Sequence, residues 1–313
     1  MNYIGRVSEQ HHNLYQVICG EKQIQARVSG KLAYQLGSNI EYPVVGDYVA
    51  LDRDSDVNGT AIINEIKQRK SMLQRTEAGK TGRSQVIAVN VDYIFICMSL
   101  NQDYNLRKLE RYLAVVNGAN IVPIVVLTKA DLCNNVEEYI GQIKENNKQL
   151  EVIVCSSELN IGYHIIKDKI TDGITAAFIG SSGVGKSTLI NHIVGKEILR
   201  TNDIRENDGR GKHTTTHRQL IQLPNGGSVI DTPGMRELAL DDSNVEETFA
   251  DIDKLAMNCR FSDCSHKKEP GCAVRIAIED GQISDKRVKN YMKLKQEEIA
   301  RQRRKKAGHS RRS

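Results

Sequence analysis

The sequence predicts a multidomain α/β chain, with a small all-β region first, an open sheet covered by helices in the middle, and a helical region last. Three observations predict it. Five short segments of alternating apolar and polar residues fill the first 70 positions. Continuous apolar runs then alternate with stretches of helical spacing, the pattern of a mostly parallel sheet with helices on both faces. Finally, three Cys and a His crowd into residues 259–272, with little apolar material around them. The length, 313 residues, suits two or three domains.

In chain order, "YIGRVS", "LYQVIC", "IQARVS", "DYVALD" and "AIINEI" read as five strands separated by Gly, Asn and Asp, and hence as a small barrel of OB type over 1–70. Residues 71–85 fall in the polar, basic, Gly-containing stretch "QRKSMLQRTEAGKTGRSQ" and read as a linker or loop. A central domain follows over 86–240. There "VDYIFICMSL", "IVPIVVL", "EVIVC" and "ITAAFI" are buried strands. "LRKLERYLAVVNGAN", "NVEEYIGQIKENNKQL" and "KSTLINHIV" are helices, and "RQLIQLPNGGSVIDTPG" is two strands about an "NGG" turn. Residues 241–300 read as helical ("NVEETFADIDKLA", "AVRIAIEDG", "DKRVKNYMKLKQEEIARQRRKK"), and 301–313 as a basic tail.

Composition excludes some classes. No run approaches the roughly 18 apolar residues of a membrane span, and "MNYIGRVSEQHHN" has no signal-peptide core, so the expectation is a cytoplasmic monomer without a membrane partner. The net charge is +5. The last 13 residues hold seven Lys or Arg and no acid, which suits a polyanion such as RNA. Of seven cysteines, Cys19, Cys97, Cys133 and Cys155 lie in or beside apolar runs and read as buried thiols.

"GSSGVGKST" matches a phosphate-binding loop: Gly180, Ser181, Ser182, Gly183, Val184, Gly185, Lys186, Ser187 and Thr188. Its glycines let backbone N–H groups turn toward phosphate oxygens, and the following helix adds its positive end. Lys186 can reach the β- and γ-phosphates, and the Ser187 hydroxyl can ligate Mg²⁺. In "DTPG", Asp231 can hold Mg²⁺ through water, and the Gly234 N–H can meet the γ-phosphate. In "TKAD" (Thr128, Lys129, Ala130, Asp131), the Asp131 carboxylate can accept from guanine N1–H and the exocyclic amine. Adenine lacks that donor pair, so the nucleotide is GTP. The Lys129 stem can cover the base. Most such proteins carry Asn in place of Thr128; Thr is shorter, which weakens contacts to guanine N7 or to the P-loop backbone. Cys155, Ser156 and Ser157 end the next strand, where a backbone N–H can meet guanine O6. These motifs run base loops first and phosphate loop last, a cyclic reordering that a three-dimensional site tolerates.

"NDGRGKHTTTH" (207–217) reads as a switch loop, and a Thr from 214–216, with Thr214 and Thr215 as candidates, can complete the Mg²⁺ shell. Met235 stands where related enzymes carry a water-orienting Gln, which predicts slow intrinsic hydrolysis. His213 is the internal candidate for orienting water, and equally reads as a solvated or RNA-contacting loop residue. Gly183 replaces the Asn of potassium-activated relatives, so no potassium site is expected. Cys259, Cys264, His266 and Cys272 fill a tetrahedral Zn²⁺ with no open position, a structural ion.

With "TKAD", "GSSGVGKST", "GRGKHTTT", "DTPG" and the Cys-Cys-His-Cys spacing in this order, nearly the whole chain resembles the RsgA (YjeQ) family of circularly permuted GTPases. The resemblance implies an OB-fold N-terminal domain and a GTPase that matures the small ribosomal subunit. It also implies binding to 16S rRNA near the decoding region, with hydrolysis stimulated by the subunit. The family's switch histidine falls on His213 and its zinc ligands on Cys259, Cys264, His266 and Cys272. A different class remains open: an RNA-binding scaffold in which GTP is only a structural ligand.

Overall fold

The computed structural model describes residues 3–11, 13–36, 42–76, 84–101, 104–181, 183–197, 199, 219–231, 249–261, 264–267, 269–285 and 287–296. Alternation in the N-terminal segments produces strands β1 (Tyr3–His11), β2 (Leu14–Cys19), β3 (Lys22–Val28), β4 (Tyr48–Leu51) and β5 (Ala61–Ile66), with a short helix α1 (Gly30–Leu36) that sequence periodicity did not reveal. The strands close into a barrel in the order β1-β2-β3-β5-β4-β1, with β3 and β5 parallel and the other pairs antiparallel. Every second residue turns inward, so Val7, Tyr15, Val17, Ile24, Leu51 and Ile63 form the barrel core.

The stretch expected as a linker carries two strands instead. β6 (Met72–Thr76) and β7 (Ser84–Val89) pair antiparallel. Leu73 and Ile87 are buried in the central core, which holds this ribbon down. The flanking polar residues hid its short apolar runs.

Continuous apolar runs give the central sheet: β8 (Tyr93–Ser99), β9 (Val122–Thr128), β10 (Glu151–Val154), β11 (Thr175–Ile179), β12 (Gln219–Gln222) and β13 (Ser228–Asp231). Their spatial order is β10-β9-β8-β11-β13-β12; all neighbours are parallel except β12, which returns antiparallel after a turn at Gly226. Both faces are covered. Ile94 and Ile96 of β8 face the side of α2 (Leu106–Val116) and α3 (Val136–Asn146), where Leu109, Leu113 and Ile143 pack. Phe95 and Cys97 face the other side, with α4 (Tyr163–Lys169) and α5 (Lys186–Val194), where Ile166, Leu189 and Ile190 pack. Phe95 and Phe178 stack there at 4.9 Å. Cys97 and Cys155 are buried as expected, whereas Cys19 and Cys133 are half-buried because they sit at element ends.

Two junctions tie this sheet to its neighbours. The barrel joins through β1, which pairs with β12 at Glu9 and Gln219 and makes eleven strands continuous. Arg6 of β1 reaches across: its guanidinium donates to Thr175 Oγ1 (2.7 Å) and to the Asn90 carbonyl (3.4 Å). The C-terminal region contains α6 (Ala250–Ala256), α7 (Ala273–Glu279) and α8 (287–296), packed around Phe249, Ile252, Val274, Val288, Tyr291 and Leu294. It meets the central domain at α2, where Asn290 donates to buried Glu110 (2.5 Å) and Arg287 lies 3.7 Å from the same carboxylate. Among the described residues, no helix is long and apolar enough to cross a membrane.

Candidate functional site

The site lies at the C-terminal ends of the parallel strands. β11 ends at Ile179 and is followed by Gly180, whose φ of +146° only glycine adopts freely; a Cβ there would lie 2.4 Å from the Cys97 carbonyl of neighbouring β8. Gly183 and Gly185 also have positive φ, so the loop 180–185 wraps back before α5 begins at Lys186. The Lys186 ammonium lies within the loop, donating to the carbonyls of Gly180 (2.8 Å) and Ser181 (2.6 Å). Ser187 and Thr188 follow in the first turn of α5, and Val184 is buried beneath the loop. Asp231 closes β13, one step beyond the Ala177–Ile230 pair, and so ends beside the phosphate-loop strand.

The two base loops come to the same edge. β9 ends at Thr128 and turns through Lys129, which adopts the left-handed conformation (φ 57°). Asp131 is exposed, and its Oδ1 accepts from the Ser156 hydroxyl of the second base loop. The Ala130 N–H donates to the Cys155 carbonyl (3.2 Å), which fixes one loop against the other. Ser157 is exposed, and Tyr163, six residues on, stacks on His192 of α5 (4.3 Å between ring centroids). Burial pushes both the Cys97 and Cys155 thiols up to about 12, with Lys186 opposing the shift at Cys97.

Thr128 makes the decisive link. Its hydroxyl donates to the Val184 carbonyl at 2.6 Å, joining the first base loop to the phosphate loop. The shorter side chain therefore does not weaken the P-loop half of the contact expected of Asn. Residues 128–131, 155–157 and 180–188, scattered in sequence, are thus brought together; Ser182 of that set, with His213, Thr214, Thr215 and Gly234, lies outside the described residues.

Sequence reasoning missed Lys108. From the first turn of α2, its ammonium reaches Ser181 Oγ at 3.1 Å. Nothing in "LRKLER" marks it, because the contact depends on how α2 packs over β8 and β9.

The second cluster fits a metal. The ligand atoms of Cys259, Cys264, His266 and Cys272 lie within 4.8 Å of one another. Cys259 and Cys272 sulfurs are 3.8 Å apart, and His266 Nδ1 lies 3.6 and 3.4 Å from them. A tetrahedral zinc with ordinary Zn–S and Zn–N bonds has edges of about 3.6–3.8 Å. His266 reaches the cluster from a left-handed backbone (φ 58°). Glu269 accepts from the Ser265 (3.1 Å) and Lys267 (2.9 Å) N–H groups on either side, bracing that turn.

Comparison with known proteins agrees with this geometry. A family model described as RsgA GTPase matches residues 66–241. The chain is 46% identical over 294 residues to the small ribosomal subunit biogenesis GTPase RsgA 2 of Lactiplantibacillus plantarum, covering 94% of this chain and 83% of that one. It is 41% identical over 295 residues to the small ribosomal subunit biogenesis GTPase RsgA of Methanosarcina acetivorans, covering 94% and 79%. Among solved structures it resembles YjeQ from Thermotoga maritima (27% identity, TM-score 0.69, 94% and 97% covered). It also resembles YloQ, a circularly permuted GTPase (29% identity, TM-score 0.67, 96% of each chain).

Proposed function

This chain belongs to the RsgA GTPase family, and on that premise we propose that it hydrolyses GTP during maturation of the small (30S) ribosomal subunit. One observation carries the reading: the Thr128–Val184 hydrogen bond couples a guanine-reading loop to a phosphate-holding loop. Asp131 selects guanine, and the 155–157 loop offers backbone N–H groups to O6. Lys186 and the glycine-lined loop hold the phosphates, with Ser187 and Asp231 as Mg²⁺ ligands. Thr214 or Thr215 completes that shell, and Gly234 meets the γ-phosphate. Cys259, Cys264, His266 and Cys272 hold one structural Zn²⁺, whose chemistry is to cross-link the C-terminal helices.

The barrel over 1–70 is of OB type and, with the basic tail 301–313, contacts 16S rRNA near the decoding region. Residues 86–240 form the permuted GTPase domain and 241–300 the zinc domain. The protein acts as a cytoplasmic monomer on the subunit. Met235 lacks a Gln's ability to orient water, which supports slow turnover by the protein alone and stimulation by the subunit, with His213 in the hydrolytic step. The GTP state binds the subunit, and hydrolysis releases the protein.

Phosphate release from GTP, with and without purified small subunits, tests this beside His213→Ala. Stimulation by the subunit, lost in the variant, is expected. Stimulation retained in the variant places catalysis elsewhere. GTP-dependent binding to the subunit without stimulated turnover points instead to the scaffold reading.

A further inference from the structure

We propose that this protein does not read guanine N7, because Thr128 commits its only proton to the phosphate loop. The inference rests on the guanine-nucleotide reading of the site and concerns how that base is selected.

Thr128 is 5% exposed, at the end of β9. Its Oγ1 has two acceptors in reach, the Val184 carbonyl at 2.6 Å and the Met98 carbonyl at 3.4 Å. A hydroxyl carries one proton, and the short contact to Val184 takes it. Guanine N7 is an acceptor and binds only a donor. The lone pairs that remain on Oγ1 offer it nothing. Turning the hydroxyl toward a base would strip the donor from a carbonyl whose residue is 1% exposed, so the arrangement resists change. An Asn amide differs, because it carries two protons and an acceptor and can serve a loop and a base together.

Base selection then falls to the opposite edge. Asp131 is exposed and held by the Ser156 hydroxyl, and its carboxylate can accept from donors that only guanine's Watson–Crick edge supplies. Thr128 is a positioning residue. It sets the phosphate loop against the base loop and leaves the Hoogsteen edge of the base unselected.

Displacement of a ribose-labelled fluorescent GDP from the full-length protein tests this, with GTP, ATP and 7-deaza-GTP as competitors. The 7-deaza analogue replaces N7 by C–H and keeps the Watson–Crick edge. Wild-type protein is expected to bind it within about twofold of GTP. Thr128→Asn is expected to prefer GTP over the analogue by about three- to tenfold, the scale of one neutral hydrogen bond. Thr128→Val removes the tie to Val184 and is expected to weaken both guanine nucleotides equally, with Thr128→Ser restoring them. A fivefold or larger preference for GTP in the wild-type protein overturns the proposal, since some donor then reads N7. Equal binding of the two by Thr128→Asn overturns the assignment of that indifference to Thr128. Failure of the underlying guanine reading shows separately, as ATP competing as well as GTP.

Discussion

Cys97 and Cys155 lie under the nucleotide loops with their thiols pushed up to about 12 by burial. The thiolate is the reactive form, so both are unreactive in the native protein. Iodoacetamide at pH 8 is expected to leave them unmodified until the chain is unfolded in urea, as read by peptide mass spectrometry. The sign for stability follows from linkage. The folded state holds these protons where the unfolded chain releases them above about 9, so stability is full below that value and falls as pH rises through the interval from 9 to 12. At this scale, the place of Lys186 in the phosphate loop, the place of Asp131 at the strand end and the gathering of three Cys with His266 were legible in the sequence, because each follows from a side chain and its immediate neighbours. Lys108 was not legible, because its contact with Ser181 exists only once α2 packs beside the loop. The Thr128 substitution was visible, but its hydrogen bond to Val184 was not.

The Cys/His loop over 259–272 shows what a short element needs. Its flanking helices α6 and α7 have seven residues each, too short to persist alone. Cys272 lies within the core they share, with Cys259 and Cys264 packed against it, so the proposed ligands are also the packing. On the proposed zinc reading, chelation is expected to unfold residues 249–296 while the barrel and central sheet persist. Hydrogen exchange would show protection lost in α6–α8 alone and regained on adding zinc, with one ion bound per chain. Loss of protection across all regions together would refute that independence. The strands with continuous apolar runs were legible because burial on both faces leaves no polar positions. β6 and β7 were not, because their buried residues, Leu73 and Val86 to Val89, form short runs, and Gln, Arg and Lys on either side dominate the local composition.

Across the molecule, the C-terminal region meets the central domain through charges that water barely reaches. Glu110 and Arg287 are each about 4% exposed, and Asn290 donates to Glu110. Glu110→Ala removes an acceptor from both. Because Arg287 keeps Asp251 at 3.0 Å, we expect a loss of about 3 kcal/mol, the low end for breaking a buried ion pair. Urea unfolding would show it, with hydrogen exchange in α8 rising first; an unchanged midpoint would refute it. Glu110→Gln, which keeps an acceptor for Asn290, is expected to lose less. The reordered motifs were legible because each loop names its own chemistry wherever the chain places it. The junctions between regions were not. The barrel joins the sheet by one ladder pair, Glu9 with Gln219, and by the reach of Arg6, and neither leaves a mark in a pattern read along a single strand. That single pair has a consequence for solubility. An open sheet offers its outermost strands as templates on which another chain can add a strand, and β12 carries the buried Leu220 and Ile221 beside such a border. With β1 paired to its first residue, β12 is covered at that end, and β1 itself returns into a closed ring. Among the described residues, the other end of the sheet is β10, four residues long and begun by a Glu151 paired with Lys169. The barrel thus occupies the end of β12 where an added strand would begin its ladder, which hinders fibrous stacking there.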